Sequence, residues 1–177
     1  VISGRRAAES VLCLGRGRVG LGLLLAILLA GCGQEAAQLE NGQPAPAFEL
    51  ERLEGGALAF PASVAGKVVA VRFWADWCPF CEEEMRDLEP VYRHYRDRGL
   101  VVLAVNVRQD AATARRFIKR LGVSYEVLLD ADGAVARRYG VIGLPTTFFV
   151  DGDGRLATRI LGESTPEVFE RIVKDLL

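Results

Sequence analysis

The chain is predicted to fold as one α/β domain: a central mixed β-sheet with helices on both faces. Three observations predict this. Short β-branched apolar runs alternate with amphipathic helical stretches, the pattern of a sheet covered by helices. The length of 177 residues suits one ordinary core. The composition, 50% hydrophobic and 25% charged, is that of a globular protein.

The elements follow in order. Residues 1–31 form an address rather than part of the domain. Arg16 and Arg18 precede an apolar run from Val19 to Ala30 that ends in Leu29-Ala30-Gly31-Cys32. A positive flank, a short apolar stretch and small residues make a secretory signal. The run falls short of the roughly 20 residues a spanning helix needs. Its last four residues resemble a bacterial lipobox. The resemblance implies cleavage before Cys32, whose sulfur carries diacylglycerol. An uncleaved anchor and a plain secretory signal are the alternatives. No function is assigned to residues 1–15. Residues 32–44 are small and polar and read as a flexible tether. Residues 45–177 are the domain.

Removing the signal's four Arg and one Glu leaves 18 basic and 22 acidic residues, a net charge of −4. An acidic domain offers no electrostatic footprint for nucleic acid, and none is expected as a partner.

Within the domain, Lys67 to Trp74 reads as a buried strand, broken in character only by Arg72. Ala75-Asp76-Trp77 is a short loop. A helix begins around Cys78-Pro79-Phe80-Cys81, with Pro79 in its first turn and Glu82, Glu83 and Glu84 at its positive end. It runs to about Arg98, stops at Gly99 and contains Pro90. A strand from Leu100 to Asn106 follows, then a helix from Ala111 to Leu121 and a strand from Tyr125 to Leu129. A helix from Ala134 to Tyr139, a strand from Thr146 to Val150, a turn at Asp151-Gly-Asp-Gly154 and a strand from Arg155 to Leu161 come next. Ser164-Thr165-Pro166-Glu167 starts the last helix.

Of four cysteines, Cys13 lies in the signal and Cys32 at its end. Cys78 and Cys81 remain. A disulfide so short closes almost no loop, so the pair serves chemistry or metal. A structural zinc site takes four ligands. The single histidine, His94, lies 13 positions beyond Cys81 on the same predicted helix, about 20 Å away at the helical rise. It reads as a surface residue, and no metal site is expected. Cys78, at the helix start, has the placement of the attacking thiolate, with Cys81 resolving.

A strand followed by CxxC at a helix start resembles the thioredoxin family, most closely in Phe73-Trp-Ala-Asp-Trp-Cys-Pro-Phe-Cys81. Gly143-Leu144-Pro145-Thr146-Thr147 resembles that family's cis-proline loop. The resemblance implies that Leu144 and Pro145 bind an extended substrate segment by strand addition, with Trp77, Pro79 and Phe80 bordering it. The 64 residues from Cys81 to Pro145 hold an inserted helix–strand unit. With the anchoring signal and Ala45-Pro46-Ala47-Phe48, this resembles the TlpA/ResA-type branch. In that branch a glutamate at the place of Glu84 helps proton transfer. Glu84 is otherwise one of three helix-start acids.

Two positions depart from the pattern. Thioredoxins carry a buried Asp where this chain has Arg72. Arg72 either pairs with Glu84 or snorkels to the surface. Arg86 stands where the branch often has proline.

The resemblance implies a lipid-anchored, extracytoplasmic reductant of protein disulfides in a bacterial cell envelope, on the periplasmic side if that envelope is Gram-negative. It would serve cytochrome c maturation or thiol rescue and draw electrons from a membrane partner. No cofactor beyond the redox-active Cys78–Cys81 pair is expected. The alternatives are a disulfide-forming oxidase or isomerase, a peroxiredoxin and a non-catalytic metal-binding module. Pro79-Phe80 lacks the histidine of strong oxidants. A peroxiredoxin needs Thr or Ser where Ala75 stands.

Overall fold

A computed structural model describes residues 39–177. The signal segment, Cys13, Cys32 and the first part of the expected tether lie outside the described residues.

Seven strands form one sheet in the order β2-β1-β5-β4-β3-β6-β7. They are β1 (Phe48–Arg52), β2 (Ala57–Phe60), β3 (Val68–Trp74), β4 (Leu100–Val107), β5 (Glu126–Asp130), β6 (Thr146–Val150) and β7 (Leu156–Leu161). The helices are α1 (Cys81–Tyr95), α2 (Ala111–Leu121), α3 (Ala134–Arg138) and α4 (Pro166–Leu176). The sheet is mixed: β3, β4 and β5 run parallel, and β6, β7, β1 and β2 are antiparallel to their neighbours.

The strand β3 explains the centre of the fold. All seven of its residues are buried. Alternate side chains point to opposite faces. Val69, Val71 and Phe73 enter one core with Tyr139, Phe148 and the β1–β2 hairpin. Ala70 and Trp74 enter the other, beneath α1, α2 and α4. Arg72 stands between Ala70 and Trp74 on that second face. Trp74 stacks on Phe117 of α2 with ring centroids 4.8 Å apart. Helices thus cover both faces, three on one and α3 on the other.

The ends of α1 differ from expectation. It begins at Cys81, with Phe80 as its N-cap, so Cys78 and Pro79 lie in the preceding turn. It ends at Tyr95, and Arg96–Arg98 continue as a 3₁₀ turn. Gly99, at φ 115°, reverses the chain into β4. Pro90 lies inside the helix and exposed. The inserted unit is α2 followed by β5, which pairs with β4 on one side and β1 on the other.

The β1–β2 hairpin is an element that the sequence reading left unassigned. Phe48 pairs with Phe60 and Leu50 with Leu58 across it. The end of the expected tether is also docked. The Gly42 N–H donates to the Leu156 carbonyl, the Leu156 N–H to Gln43, and Pro44 bridges Arg155. Structure therefore begins before Ala45.

Candidate active site

The carboxyl end of β3 delivers the chain into the loop Ala75–Phe80. There the Cys78 N–H donates to the Ala75 carbonyl and the Cys81 N–H to the Cys78 carbonyl, each at 3.2 Å. These turns bring the Cys78 and Cys81 Cα atoms to 5.4 Å, and their sulfurs are joined in a disulfide. Cys78 lies at the amino end of α1, where free N–H groups and three glutamates gather. It is 2% exposed and Cys81 is fully buried. Attack by an external thiol therefore reaches Cys78 before Cys81. The flanking side chains are open: Trp77 is 66% exposed and Phe80 51%, and Pro79 is exposed as well.

Pro145 precedes β6, the strand next to β3. The Leu144–Pro145 peptide is cis. Pro145 is buried, Leu144 is half-buried, and Ile142 in the same loop is 94% exposed. Register places Thr146 opposite Phe73 and Thr147 opposite Arg72. The proline loop therefore stands at the same end of the sheet as the disulfide loop.

One turn along α1 from Cys81, Glu84 forms a buried ion pair with Arg72 of β3. Arg72 is fully buried and Glu84 is 5% exposed. Arg72 Nη1 donates to Glu84 Oε1 at 2.9 Å and to Thr147 Oγ1 at 3.0 Å. Arg72 Nη2 lies 2.6 Å from Glu84 Oε2, a charge contact whose angle is poor for a hydrogen bond. Glu84 Oε1 also accepts from the Ser164 N–H at 3.1 Å and the Ser164 hydroxyl at 3.2 Å. Of the two readings of Arg72, pairing with Glu84 is the one the structure supports. Glu84, expected to help proton transfer, thus has Oε1 filled by three hydrogen bonds, while Oε2 meets only the Arg72 charge.

A second polar cluster was not anticipated. Gln109 Oε1 accepts from the Asp76 N–H and from Asn106 Nδ2, each at 2.9 Å. Gln109 Nε2 donates back to the Asp76 carboxylate. The cluster ties the loop before Cys78 to the turn after β4. Arg108 in that turn holds φ 56°, a left-handed conformation rare for a non-glycine residue. Asn106-x-x-Gln109 gave no sequence signal, because its partner Asp76 is 33 positions away.

Arg86 is on the surface and pairs with Glu82 at 3.0 Å. His94 is exposed on α1. Among the described residues no cluster of three or more His, Cys, Asp or Glu is placed to hold a metal. Among them no helix is long and apolar enough to cross a membrane. Ala75, where a peroxidase site of this fold would carry a hydroxyl, is buried and apolar.

Comparison with known proteins agrees with this chemistry. The AhpC/TSA family matches residues 41–159. The thiol-disulfide oxidoreductase ResA of Bacillus cereus is 32% identical over 149 residues, which span 84% of this chain and 86% of ResA. ResA of Geobacillus thermodenitrificans is 34% identical over 153 residues, 82% of this chain and 87% of that protein. Among solved structures, a thioredoxin-family thiol:disulfide interchange protein from Chlorobium tepidum superposes with a TM-score of 0.70 at 29% identity, covering 79% of this chain and 99% of that one. A secreted Mycobacterium tuberculosis disulfide oxidoreductase homologous to DsbE superposes with a TM-score of 0.66 at 26% identity, covering 73% and 96%. A CxxC cysteine pair at a strand–helix junction, a cis-proline at the same end of the sheet and these relatives agree, and the chain belongs to the AhpC/TSA family as a thiol–disulfide oxidoreductase of the ResA type.

Proposed function

We propose that this protein is a lipid-anchored, extracytoplasmic reductant of protein disulfides. The observation that carries the reading is the Cys78–Cys81 disulfide beside cis-Pro145 in a chain related to ResA proteins. In the reduced protein, the Cys78 thiolate attacks one sulfur of a substrate disulfide and releases the other as a thiolate. The Cys81 sulfur then attacks Cys78, closes the intramolecular disulfide and frees the second substrate thiol. Two electrons pass from the pair to the substrate. A dithiol partner in the membrane returns them. Leu144 and Pro145 present backbone to the extended substrate segment, and Trp77, Pro79 and Phe80 border it. Cys32, lipidated after cleavage of residues 1–31, holds the protein at the envelope surface. Apocytochrome c cysteines and oxidised envelope thiols are the substrate classes this placement serves.

The reduction potential of the pair tests the direction. A value near or below about −250 mV, by equilibration with dithiol and glutathione buffers, is expected for a reductant. A value near about −120 mV would make the protein an oxidant and overturn the proposed direction. Anchoring has its own test. Cys32→Ala should abolish diacylglycerol incorporation and release the protein from membranes, and incorporation that persists would remove the lipid assignment.

A further inference from the structure

Among the described residues, the large apolar side chains left exposed are Trp77, Phe80, Ile142, Leu161 and Leu177. Four of the five stand at one end of the sheet. Trp77 and Phe80 lie in the loop that follows the carboxyl end of β3. Ile142 precedes cis-Pro145 by three positions. Leu161 ends β7 opposite Thr146 and is 61% exposed. The N–H of the next residue, Gly162, donates to the Pro145 carbonyl at 2.9 Å. The fifth, Leu177, lies beside Gly99 at the other end of the sheet. That other end is charged, with Lys67, Arg96, Asp97 and Asp153 exposed. Single exposed apolar residues are ordinary, but four gathered on one rim mark a contact surface.

The chain enters the described domain along the edge strand that ends at this rim. Gly42 and Gln43 bond to Leu156, and the Leu39 carbonyl accepts from Arg159 Nη1 at 3.3 Å. From Leu156 to Arg159 the strand runs towards Leu161, and Arg159 is two residues, about 7 Å, short of it. Six residues separate Cys32 from Leu39 in the sequence. A chain of that length spans at most about 25 Å, less than the roughly 35 Å width of a domain of this size. So short a leash holds the domain at the bilayer without fixing which end meets it. The side chains decide between an apolar end and a charged one.

We propose that the rim formed by Trp77, Phe80, Ile142 and Leu161 docks reversibly on the lipid surface. This placement rests on the lipid at Cys32 proposed above. Tryptophan and phenylalanine favour the boundary between headgroups and acyl chains, and apolar side chains gain by leaving water for it. The chain without its signal is acidic, so attraction to anionic lipid is not the driving force. Docked, the rim brings Cys78, which lies between Trp77 and Phe80 in the loop, to the surface where a membrane dithiol would return electrons. Lifted off, the same rim is free for a protein disulfide.

The two tryptophans make the placement measurable. Trp74 is fully buried and stacked on Phe117, while Trp77 is exposed, so quenching by lipid reads Trp77. The mature protein, with its Cys32 lipid verified by mass spectrometry, is reconstituted in phosphatidylcholine vesicles whose acyl chains carry bromine close to the headgroups. Emission should fall by about half or more relative to vesicles without bromine, and Trp77→Phe should remove that fall. Ile142→Ser/Leu161→Ser, which leaves both tryptophans in place, should cut the quenching at least about threefold. Its reduction by dithiothreitol in solution should keep the parent rate, which shows that the site is intact. Equal emission in the two kinds of vesicle would overturn the docking and assign the rim to protein partners alone. Quenching that persists in the double variant would also overturn it, since the leash alone would then bring Trp77 to the lipid. A Cys32 without diacylglycerol would instead remove the anchoring assignment. The same quenching is then read on the chain from Cys32 onwards, coupled through that cysteine to a maleimide lipid with the Cys78–Cys81 disulfide closed. There too a fall of about half supports docking and none overturns it.

Discussion

At the scale of single residues, Gln109 offers the clearest consequence. It accepts from Asp76 and Asn106 and donates back to Asp76. Gln109→Ala removes these bonds and strips a partner from Asn106, which is fully buried with Oδ1 already unpaired. A loss of about 1–2 kcal/mol in denaturant unfolding is expected. The loop that carries Trp77 loosens, so KM for a protein disulfide should rise severalfold while the potential of the Cys78–Cys81 pair holds. An unchanged KM would show that the loop does not need this latch. The contrast with the cysteines is physical. Cys78 and Cys81 were legible because three residues of sequence bring them together and their setting is local. Gln109, Thr147 and Ser164 meet partners 33, 75 and 80 positions away, and no local pattern carries such pairings. Arg72 lay between the two cases: a charge inside a strand of apolar residues called for a partner, and Glu84 stood as one reading beside an exit to the surface.

At the scale of elements, β5 and α3 are joined through one buried acid. Asp130 ends β5, and its carboxylate accepts the N–H groups of Val135 at 3.1 Å and Ala136 at 2.8 Å. Those are donors of the first turn of α3, which has no side-chain cap of its own. Gly133 makes the corner at φ 73°, and a Cβ there would meet Arg108 Nε at 2.7 Å. Asp130→Ala should cost about 1–3 kcal/mol by orphaning both donors. For a domain of this size the midpoint should fall by roughly 3–10 °C in a thermal melt. A shift under one degree would mean that water replaces the cap. The elements themselves were largely legible. The limits of α2 were read to the residue, because Asp110 caps its start and Gly122 its end. The start of α1 was misplaced by about one turn. Pro79 is compatible with a first helical turn, but the two-residue link of the disulfide is accommodated in a turn, and helical hydrogen bonding begins only at Cys81. The strand β1 carried its own signal, Phe48-Glu-Leu-Glu-Arg52, whose burial alternates. Its brevity and its position at the margin of the sheet hid it.

At the scale of the whole molecule, a mixed sheet with helices on both faces was readable from the alternation of elements, but its strand order was not. β3 pairs antiparallel with β6, opposing Arg72 with Thr147, a contact that topology alone creates. The same long-range closure shapes the response to acid. Glu82 is held below the ordinary carboxylate range first by its hydrogen bond to Arg120 of α2, with Arg86 adding to it. Asp110 is held down by the N–H and hydroxyl of Thr113. Glu167 is lowered by Thr165, and Glu170 by Tyr95 and then Lys174. A carboxylate whose folded value lies below its unfolded value stabilises the fold above the unfolded value, and that contribution is lost as pH falls through the folded one. The unfolded references are 4.5 for the glutamates and 3.8 for Asp110. The melting temperature should therefore be level from about pH 7 to 5 and fall progressively below about 4.5. Asp110 and Glu167 are exposed and Glu82 and Glu170 half-buried at the surface, so the charge pairs these last two make with Arg120, Arg86 and Lys174 are open to screening. In 0.5 M salt the part of the acid slope carried by Glu82 and Glu170 should shrink, while the part carried by Asp110, bonded to neutral donors, persists. Glu82 joins α1 to α2 beside the cysteine loop. Glu82→Gln should accordingly flatten the low-salt slope and leave the high-salt slope nearly as it was. A melting temperature that holds constant to pH 3 would show that the unfolded chain feels the same charges, and that these contacts add nothing specific to the folded state.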